Sequence, residues 1–501
     1  MKKIGLYLFT NDLRADDNEL LGKASRLVDE LICVVIEPNL SVFSRKFAKE
    51  QQYGAERAKF ISQSITDLES RLANLGQELI VLRSSTLTDE EMSRDFALSE
   101  IVKSQQATHL FVSHHCGFDE RHLVQSIQFN FPKLILMQQH HSTLFELEQL
   151  PFELSKLPRS FTKFRKLVEH LPIDTQSLSI TTLPPMPKAL SHCHSKQASN
   201  SKFDEHCLNI SNTNVNGLHN SSFIGGEQAG LAHLHDYFSH PYAHQYKQTR
   251  NAFDGKENST KFSPWLTLGC VSPKTIYRNL VQFEAKHGSN DSTYWIFFEL
   301  LWREYFYWKC LSLGSSLFQN GTDNPSIDSV LATNTTQQNF ANWKCGNTGY
   351  PIVDACMRQL NTTGYVSNRG RQLAASCLIY ELGVDWRNGA AYFESQLVDY
   401  DVASNWGNWA YIAGDLNQPV HNTQSSHNNQ SSHNNQSSHN NQSSHNNQSI
   451  HKDQSKNQSQ PKSRHFDLAK QTEMYDPDHV FINQWKETGQ HTTSASKQDK
   501  L

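Results

Sequence analysis

The sequence predicts an α/β N-terminal domain, built on a doubly wound parallel sheet, followed by an all-α C-terminal domain. Up to about residue 145, short β-rich runs alternate with helical runs, which is typical of a parallel sheet covered by helices. From about Gly225 onward the apolar spacing becomes helical, and all nine tryptophans lie in this half. Such clustered tryptophans indicate a large aromatic core.

Five apolar runs carry the strand prediction, namely KIGLYLF, ELICVVIEP, ELIVLRSS, THLFVSH and KLILMQQ. Helical periodicity predicts the intervening helices over residues 24–31, 53–75 and 120–129. The region contains neither a GxGxxG motif nor a Walker A motif, so nothing predicts a standard dinucleotide or P-loop site.

Composition excludes several classes of protein. The 46 basic and 50 acidic residues nearly cancel, which excludes a globally polycationic nucleic-acid binder but leaves a local basic groove open. Nine cysteines without a CxxC pair disfavour a disulfide framework or a zinc ribbon. No run reaches the roughly 18 apolar residues of a membrane span. The first residues predict a strand and not a signal peptide, so we expect a cytoplasmic protein.

Two low-complexity segments divide the chain. Residues 421–463 are dominated by Asn, Gln, Ser and His, with the hexad SSHNNQ recurring from Ser425, and their low apolar content predicts a disordered insert. His-rich tracts can bind metal, but this spacing fits no helical or finger-like site. Residues 191–222 indicate a linker. The predicted divisions are 1–145 (α/β), 146–224 (linker), 225–415 (helical), 416–463 (insert) and 464–501 (end of the helical domain and tail).

Two strings of the helical half indicate a binding pocket. STKFSPWLTLG, residues 259–269, combines hydroxyls and a cation with a helix start, as a diphosphate requires, although a capped helix after a loop has the same pattern. In ELLWREYFYW, residues 299–308, Glu299, Trp302 and Arg303 share one helix face with Phe306. This mixture of charged and aromatic residues favours a polar pocket wall over a core face.

Two further strings contain arginines and carboxylates. Asn368, Arg369 and Arg371 open the helix that follows TGYVS, where an arginine can bind phosphate or pair with a carboxylate. DYDVASNWGNW supplies Asp399 and Asp401 two residues apart, but no third ligand of a suitable type is near, so no metal is predicted.

In their order and spacing these strings resemble the photolyase/cryptochrome family of blue-light flavoproteins, and most of all its cryptochrome DASH subgroup. FTNDLRADDN, FSPWLTLGCVSP, TGYPIVDACMRQL and RHFDLAKQTEMYDPDHVFINQW carry the resemblance over nearly the whole chain. The resemblance implies an α/β antenna domain, a long linker and an all-helical domain that holds FAD in a U shape.

Matching motifs then implies a role for each FAD contact. The phosphates would lie at residues 259–263, Arg371 would pair with Asp399, and Asn405 would lie near flavin N5. The implied FAD-binding residues are Tyr246, Ser259, Thr260, Lys261, Phe262, Ser263, Arg303, Arg371, Asp399, Asp401 and Asn405.

The resemblance also implies a light-driven reaction. Reduced FAD, excited by blue light or by an antenna, would donate an electron to a cyclobutane pyrimidine dimer, and the electron would return after the dimer splits. Glu299 would hydrogen-bond the dimer, and Asn405 is the second implied catalytic residue. Trp409, Trp386 and Trp343 match the family's chain of tryptophans that carries electrons from the surface to FAD. The implied DNA contacts are Arg250, Glu299, Asn368, Arg369 and Gln372. A local cluster of cations over residues 247–303, together with Lys344, Arg358 and Arg371, would supply a basic groove for them.

The DASH subgroup refines these expectations. Gln372 stands where ordinary dimer photolyases commonly have Met, and the usual activity of the subgroup is repair of pyrimidine dimers in single-stranded DNA. We expect this chain to act as a monomer. The implied antenna is 5,10-methenyltetrahydrofolate, with Glu120 as the candidate carboxylate, although solvation of a helix surface explains Glu120 equally well. After Gly414 the chain departs from the family's Gly-Val-Gly-Asn-Asp-Pro-Arg loop, which puts DNA affinity in doubt.

Three functions therefore stay open at this point. The favoured one is a light-driven repair enzyme of DASH type. The second is a blue-light receptor of the same fold that binds nucleic acid or a partner without repair. The third is a flavin-free nucleic-acid-binding protein, which would be colourless when purified.

Deletion of residues 421–460 is expected to leave the flavin content unchanged, because every implied FAD-binding motif precedes the insert. The measurement is the ratio of flavin to protein absorbance in the purified deletion variant and in the full chain. Loss of bound flavin from the deletion variant would contradict the expectation.

Overall fold

The computed structural model describes residues 2–83, 94–188, 190, 223–318, 334–416 and 464–486. The low-complexity segment 191–222 and residues 417–463 of the predicted insert lie outside the described residues. Among the described residues, no helix combines the length and apolar content needed to cross a membrane.

The N-terminal region contains a five-stranded parallel sheet, in which the order of the strands, numbered along the chain, is third, second, first, fourth and fifth. All five predicted strands are confirmed. They could be predicted because the strands of a parallel sheet are rich in continuous apolar runs, which differ from the pattern of amphipathic helices. The strands are β1 (Ile4–Phe9), β2 (Glu30–Ile36), β3 (Leu79–Leu82), β4 (His109–Ser113) and β5 (Ile135–Gln139).

Five helices accompany this sheet: α1 (Glu19–Leu27), α2 (Val42–Ala48), α3 (Ala55–Asn74), α4 (Arg94–Ser104) and α5 (Phe118–Asn130). The helices predicted over 53–75 and 120–129 correspond to α3 and α5. The bounds predicted over 24–31 are wrong. The Asn18 side chain accepts the Leu21 N–H and starts α1 earlier, and Leu31 belongs to the buried run of β2.

The first part of the predicted linker packs against the helical region. Helix α6 (Phe161–Val168) buries Phe161 and Phe164, and the Phe161 ring stacks on Trp302 with centroids 3.8 Å apart. This segment is therefore part of the folded core, whereas the sequence had grouped it with the linker.

The rest of the described chain is helical, as the sequence predicted. Its helices are α7 (Glu227–Ser239), α8 (Tyr246–Thr249), α9 (Ser263–Thr267), α10 (Pro273–His287), α11 (Asp291–Leu313), α12 (Asn334–Cys345), α13 (Pro351–Thr363), α14 (Asn368–Ser376), α15 (Trp386–Gln396), α16 (Val402–Ala413), α17 (Leu468–Tyr475) and α18 (Val480–Gln484). Trp308, Trp343 and Trp406 are among its largest fully buried side chains.

A buried carboxylate on α11 joins the two regions. The Glu304 carboxylate accepts the backbone N–H of Leu144 at 2.8 Å and of Phe145 at 3.4 Å, in the segment after β5. It also accepts the Trp308 indole N–H at 2.8 Å. Glu304 is 1% exposed, so these three donors replace the water that the carboxylate loses on folding.

Replacing Glu304 with glutamine is expected to lower the free energy of unfolding by about 1–3 kcal/mol, because an amide nitrogen would face a buried N–H donor that then has no acceptor. The measurement is urea unfolding of Glu304→Gln beside Glu148→Gln, a matched change at an exposed position of the same segment. Equal unfolding midpoints for the two variants would show that the contact contributes nothing.

Candidate active site

A cavity of about 670 Å³ lies within the helical region and is lined by parts of α8, α9, α11, α14 and α16. Every residue that the resemblance assigns to FAD lines it, as do all the residues assigned to DNA. The predicted pocket wall is also confirmed, because Glu299, Trp302, Arg303 and Phe306 all face this cavity from α11. The capping box at Asn290, whose side chain accepts the Thr293 N–H at 3.0 Å, fixes the start of that helix.

An ion pair between Arg371 and Asp399 lies at the centre of the site. The guanidinium Nη2 is 2.9 Å and 2.7 Å from the two carboxylate oxygens. The same carboxylate accepts the Ser263 hydroxyl at 2.7 Å, and Arg371 Nε donates to Val366 O at 2.9 Å. Burial works against the charge of Arg371, but Asp399 outweighs it and raises the pKa of the guanidinium above its ordinary value.

The loop before α9 presents hydroxyls and a cation to the cavity. Lys261 adopts the left-handed conformation with φ of 48°, which costs a side chain of this type about 1–2 kcal/mol. Its ammonium lies 4.7 Å from the Tyr365 ring centroid, and the preceding carbonyl of Thr260 accepts the His233 Nε2–H at 2.9 Å. Phe262 is buried beside Tyr237, which anchors the loop. Strained backbone held by such contacts is common at functional sites.

The start of α16 positions two further polar side chains. Asp401 caps this helix by accepting the Ser404 N–H at 2.7 Å, and Arg303 Nη2 lies 3.8 Å from its carboxylate. One turn later, the amide of Asn405 donates to Ala390 O at 2.9 Å and is 9% exposed. Both side chains are therefore fixed in direction before any ligand binds.

Glu299 and Arg250 form an ion pair on another wall of the cavity. The Arg250 guanidinium also lies 4.3 Å from the Trp295 ring centroid, so an aromatic face supports the pair. Burial raises the pKa of Glu299, and the charge of Arg250 offsets part of that rise. A carboxyl group with a raised pKa is able to donate a hydrogen bond as well as accept one.

The remaining residues assigned to DNA differ in their surroundings. Asn368 is exposed at the start of α14. Arg369 contacts Asn251 Oδ1 at 3.1 Å and the Tyr475 hydroxyl at 3.3 Å, so it also holds α17 against the cavity rim. Gln372 lines the cavity one turn after Asn368.

Two cations expected in a basic groove lie elsewhere. Lys344 pairs with Glu50 at 3.0 Å, and Arg358 donates to Gly346 O at 2.7 Å. Neither side chain lines the cavity described above. The sequence suggested them because they are close to the motifs along the chain, but α12 and α13 direct them to other contacts.

The three matched tryptophans do not reach the surface as the family pattern implied. Trp409 lines the cavity, and its ring centroid is 6.1 Å from that of Trp343. Trp386 packs against Trp406 with centroids 5.9 Å apart. Trp409, Trp386 and Trp343 are 3%, 4% and 0% exposed, so none of them is a surface residue.

Sequence reasoning missed several cavity residues, of which Arg464 and Tyr411 are the clearest. The Arg464 guanidinium stacks on the Tyr411 ring, 3.1 Å from its centroid, and both side chains line the cavity. The only signal was the position of Arg464 at the start of the last family-like string. Tyr365, Asn408 and Phe466 were also missed.

Glu120 lies apart from the cavity lining, in the first turn of α5. Its carboxylate is 3.4 Å from His115 Nδ1, and its side chain is 45% exposed. Gly117 allows this approach, because a Cβ on Gly117 would lie 2.2 Å from Glu120 Oε2. A pterin contact and a solvated helix start both fit this geometry.

Comparison with known proteins identifies the family. Residues 5–188 match DNA photolyase, and residues 295–439 match the FAD binding domain of DNA photolyase. Cryptochrome DASH of Vibrio parahaemolyticus is 43% identical, over 97% of this chain and 94% of that protein. The chain belongs to the photolyase/cryptochrome family. Cryptochrome DASH of Idiomarina loihiensis is 40% identical, over 96% of this chain and 92% of that protein.

Solved structures of the photolyase/cryptochrome family show the same fold. The Synechocystis cryptochrome is 33% identical with a TM-score of 0.74, over 97% of this chain and 89% of that chain. A class III photolyase from Agrobacterium tumefaciens has a TM-score of 0.67, and at 21% identity it supports the fold alone.

The residues that line the cavity are suited to FAD, the cofactor that the matching FAD-binding domain binds. The hydroxyls of Ser259, Thr260 and Ser263 and the Lys261 ammonium are donors suited to phosphate oxygens. The Arg371–Asp399 pair places a fixed cation beside a fixed carboxylate. The polar edge of a flavin ring carries both hydrogen-bond donors and acceptors, so a pair of this kind suits it. The donor set is therefore of the right chemistry for FAD.

The Asp399→Asn variant is expected to raise the dissociation constant for FAD about 10- to 100-fold, because it removes the charge that holds Arg371 and Ser263 in place. The measurement is flavin fluorescence during dialysis and rebinding. Asp174→Asn, a matched change at an exposed position, is the control and should bind FAD like the unmodified chain. Equal affinity of Asp399→Asn and the control would mean that the ion pair does not organise the FAD site.

Proposed function

We propose that this photolyase-like cryptochrome repairs cyclobutane pyrimidine dimers, preferentially in single-stranded DNA, with reduced FAD as the light-driven electron donor. One observation carries the proposal. The Glu299–Arg250 pair and the residues suited to FAD line the same cavity, so a base placed against Glu299 would lie in the compartment that holds the cofactor.

The side chains around Glu299 suit a pyrimidine dimer. Trp295, Phe298 and Trp302 line the cavity beside it and offer aromatic faces for unstacked bases. Glu299 would hydrogen-bond the dimer: burial raises its pKa towards the form whose O–H donates to a pyrimidine carbonyl, while the charge of Arg250 offsets part of that rise. Bound FAD would supply the electron after absorbing blue light, while these residues hold the dimer and exclude water.

The substrate preference follows from the cost of moving the lesion into the cavity. A dimer in a duplex must leave the stack, which costs a few kcal/mol, whereas a dimer in a single strand is already accessible. Arg250, Arg369 and Arg464 line the cavity and would contact the neighbouring phosphates. With a net charge of -4 the rest of the chain adds little long-range attraction to DNA, so the contacts would be limited to a short single-stranded target at the cavity. We expect a monomer to bind it.

The antenna is a further part of the proposal. We infer that 5,10-methenyltetrahydrofolate binds at the start of α5, where Glu120 would accept hydrogen bonds from the pterin ring. The partial exposure of Glu120 and the absence of a side chain at Gly117 leave room on this surface.

A photoreceptor without repair activity is the second candidate, and one observation favours it. Arg250 and Arg369, two of the cations assigned to DNA, are both engaged within the protein, by Glu299 and by Asn251 with Tyr475. Cations that are already paired give less attraction to a phosphate backbone, so the same cavity could hold FAD and respond to light without binding a lesion.

The deciding experiment is blue-light reversal of a cyclobutane thymine dimer in matched single-stranded and duplex oligonucleotides, with the protein's FAD reduced beforehand. Repair of the single strand alone is the expected result. Glu299→Ala should retain FAD and lower the repair rate about tenfold, the effect of losing about 1.4 kcal/mol in the barrier.

Glu153→Ala, the same substitution at an exposed position outside the cavity lining, serves as the matched control. Repair of both oligonucleotides would make the protein a general photolyase. Failure to repair either one, by a protein that holds FAD, would contradict the proposal and favour the photoreceptor.

A further inference from the structure

The indole N–H of Trp386 donates a hydrogen bond to a carboxylate. Trp386 Nε1 is 2.8 Å from Asp415 Oδ2. Trp386 is the first residue of α15, and Asp415 follows Gly414, which ends α16 in the left-handed conformation with φ of 90°. The Asp415 backbone N–H in turn donates to Ala410 O at 2.9 Å. The backbone of Asp415 is therefore fixed at the end of α16, and its carboxylate is directed at the indole.

Trp386 lies on the face of α15 against which Trp409 packs. The Trp409 ring packs against α15 at Gly389, where a Cβ would lie 2.2 Å from the ring. Gly389 is one helical turn after Trp386, so the two positions share a face of α15. Trp409 itself lines the cavity. The Trp409 ring at the cavity wall and the Trp386–Asp415 pair therefore lie along one face of α15, about one helical turn apart.

The second tryptophan beside Trp409 has a different partner. The Trp343 ring centroid is 6.1 Å from that of Trp409, and its indole N–H donates to the backbone carbonyl of Ala374 at 2.9 Å. A peptide carbonyl is too weak a base to take a proton from an indole, whereas a carboxylate is a proton acceptor. Of the two neighbours, Trp386 is the one whose oxidation can be followed by loss of a proton.

We propose that Asp415 accepts a proton from Trp386 after light-driven oxidation of that tryptophan. The radical therefore stays on Trp386. The proposal rests on the proposed function in that the chain must hold FAD, but it concerns the oxidised form of that FAD, which would accept an electron when excited by light, whereas the reduced form would serve repair. With FAD bound, Trp409 would give up one electron to it, and Trp386 would supply one electron to Trp409. The Trp386 N–H bond breaks, an O–H bond forms on Asp415, and a neutral indole radical and a carboxylic acid result.

The surroundings of Asp415 support this role. Burial raises the pKa of its carboxyl group, the Trp386 hydrogen bond lowers it, Asp385 raises it and Arg387 lowers it, with a net rise above the ordinary value. A carboxylate with a raised pKa is a better base. Return of the electron would then require return of the proton, which slows the back reaction.

Asp415→Asn tests the proposal, because its amide oxygen still accepts the indole N–H but does not take the proton. In the oxidised holoprotein without DNA, transient absorption should show the neutral tryptophan radical of the unmodified chain replaced by the protonated radical. Recombination should become about tenfold faster, the change that about 1.4 kcal/mol in a barrier produces. Equal flavin content in the two proteins shows that the variant is folded.

Three further measurements complete the test. Trp343→Phe should keep the neutral radical, Trp386→Phe should lose it, and D₂O should slow its formation in the unmodified chain. A neutral radical that forms equally fast in Asp415→Asn, or that disappears in Trp343→Phe, would overturn the proposal. Dimer repair by the pre-reduced, unmodified protein is measured separately, so failure of the proposed function is distinguishable from failure of this inference.

Discussion

The buried ion pair between Arg371 and Asp399 is the interaction on which the rest of the site depends. It joins the start of α14 to the loop before α16, and through the Ser263 hydroxyl it reaches the first residue of α9. Asp399 is almost fully buried, so the pair is stable only because further hydrogen bonds compensate its lost hydration. Three segments far apart in the sequence therefore converge on one carboxylate, and the cavity takes its shape from them.

Helix α11 couples this site to the α/β region. Residues Glu299 and Arg303 face the cavity, and the adjacent Glu304 receives the backbone N–H groups of Leu144 and Phe145 from the segment after β5. Arg303 donates to Ser142 O in the same segment. A displacement of the sheet region would therefore move the cavity wall, which makes the two regions one functional unit.

Much of the fold was predictable because the two halves have different hydrophobic periodicities. The five strands were predicted from their apolar runs. Of the three helices predicted among them, only α1 was misplaced, since its start depends on the Asn18 cap and its predicted end overlapped the apolar residues of β2. Helices α2 and α4 were not predicted. Within the site, the residues carried by contiguous motifs were predicted, as Ser263 and Asp399 show. Arg464 was missed because its contact with Tyr411 forms only in the tertiary structure, across a long low-complexity segment. The burial of Trp343 was also beyond the sequence, since an aromatic pattern does not distinguish core from surface.

The missing side chain at Gly389 has a consequence for how this protein can evolve. Electron tunnelling weakens steeply with distance, and Trp409 approaches the backbone of α15 only because nothing projects from residue 389. Any larger residue there would push the ring away, with little change to the helix itself. Under the proposed light-driven chemistry, selection on the speed of charge separation would act on residue 389, which does not line the cavity and where any side chain would displace the Trp409 ring.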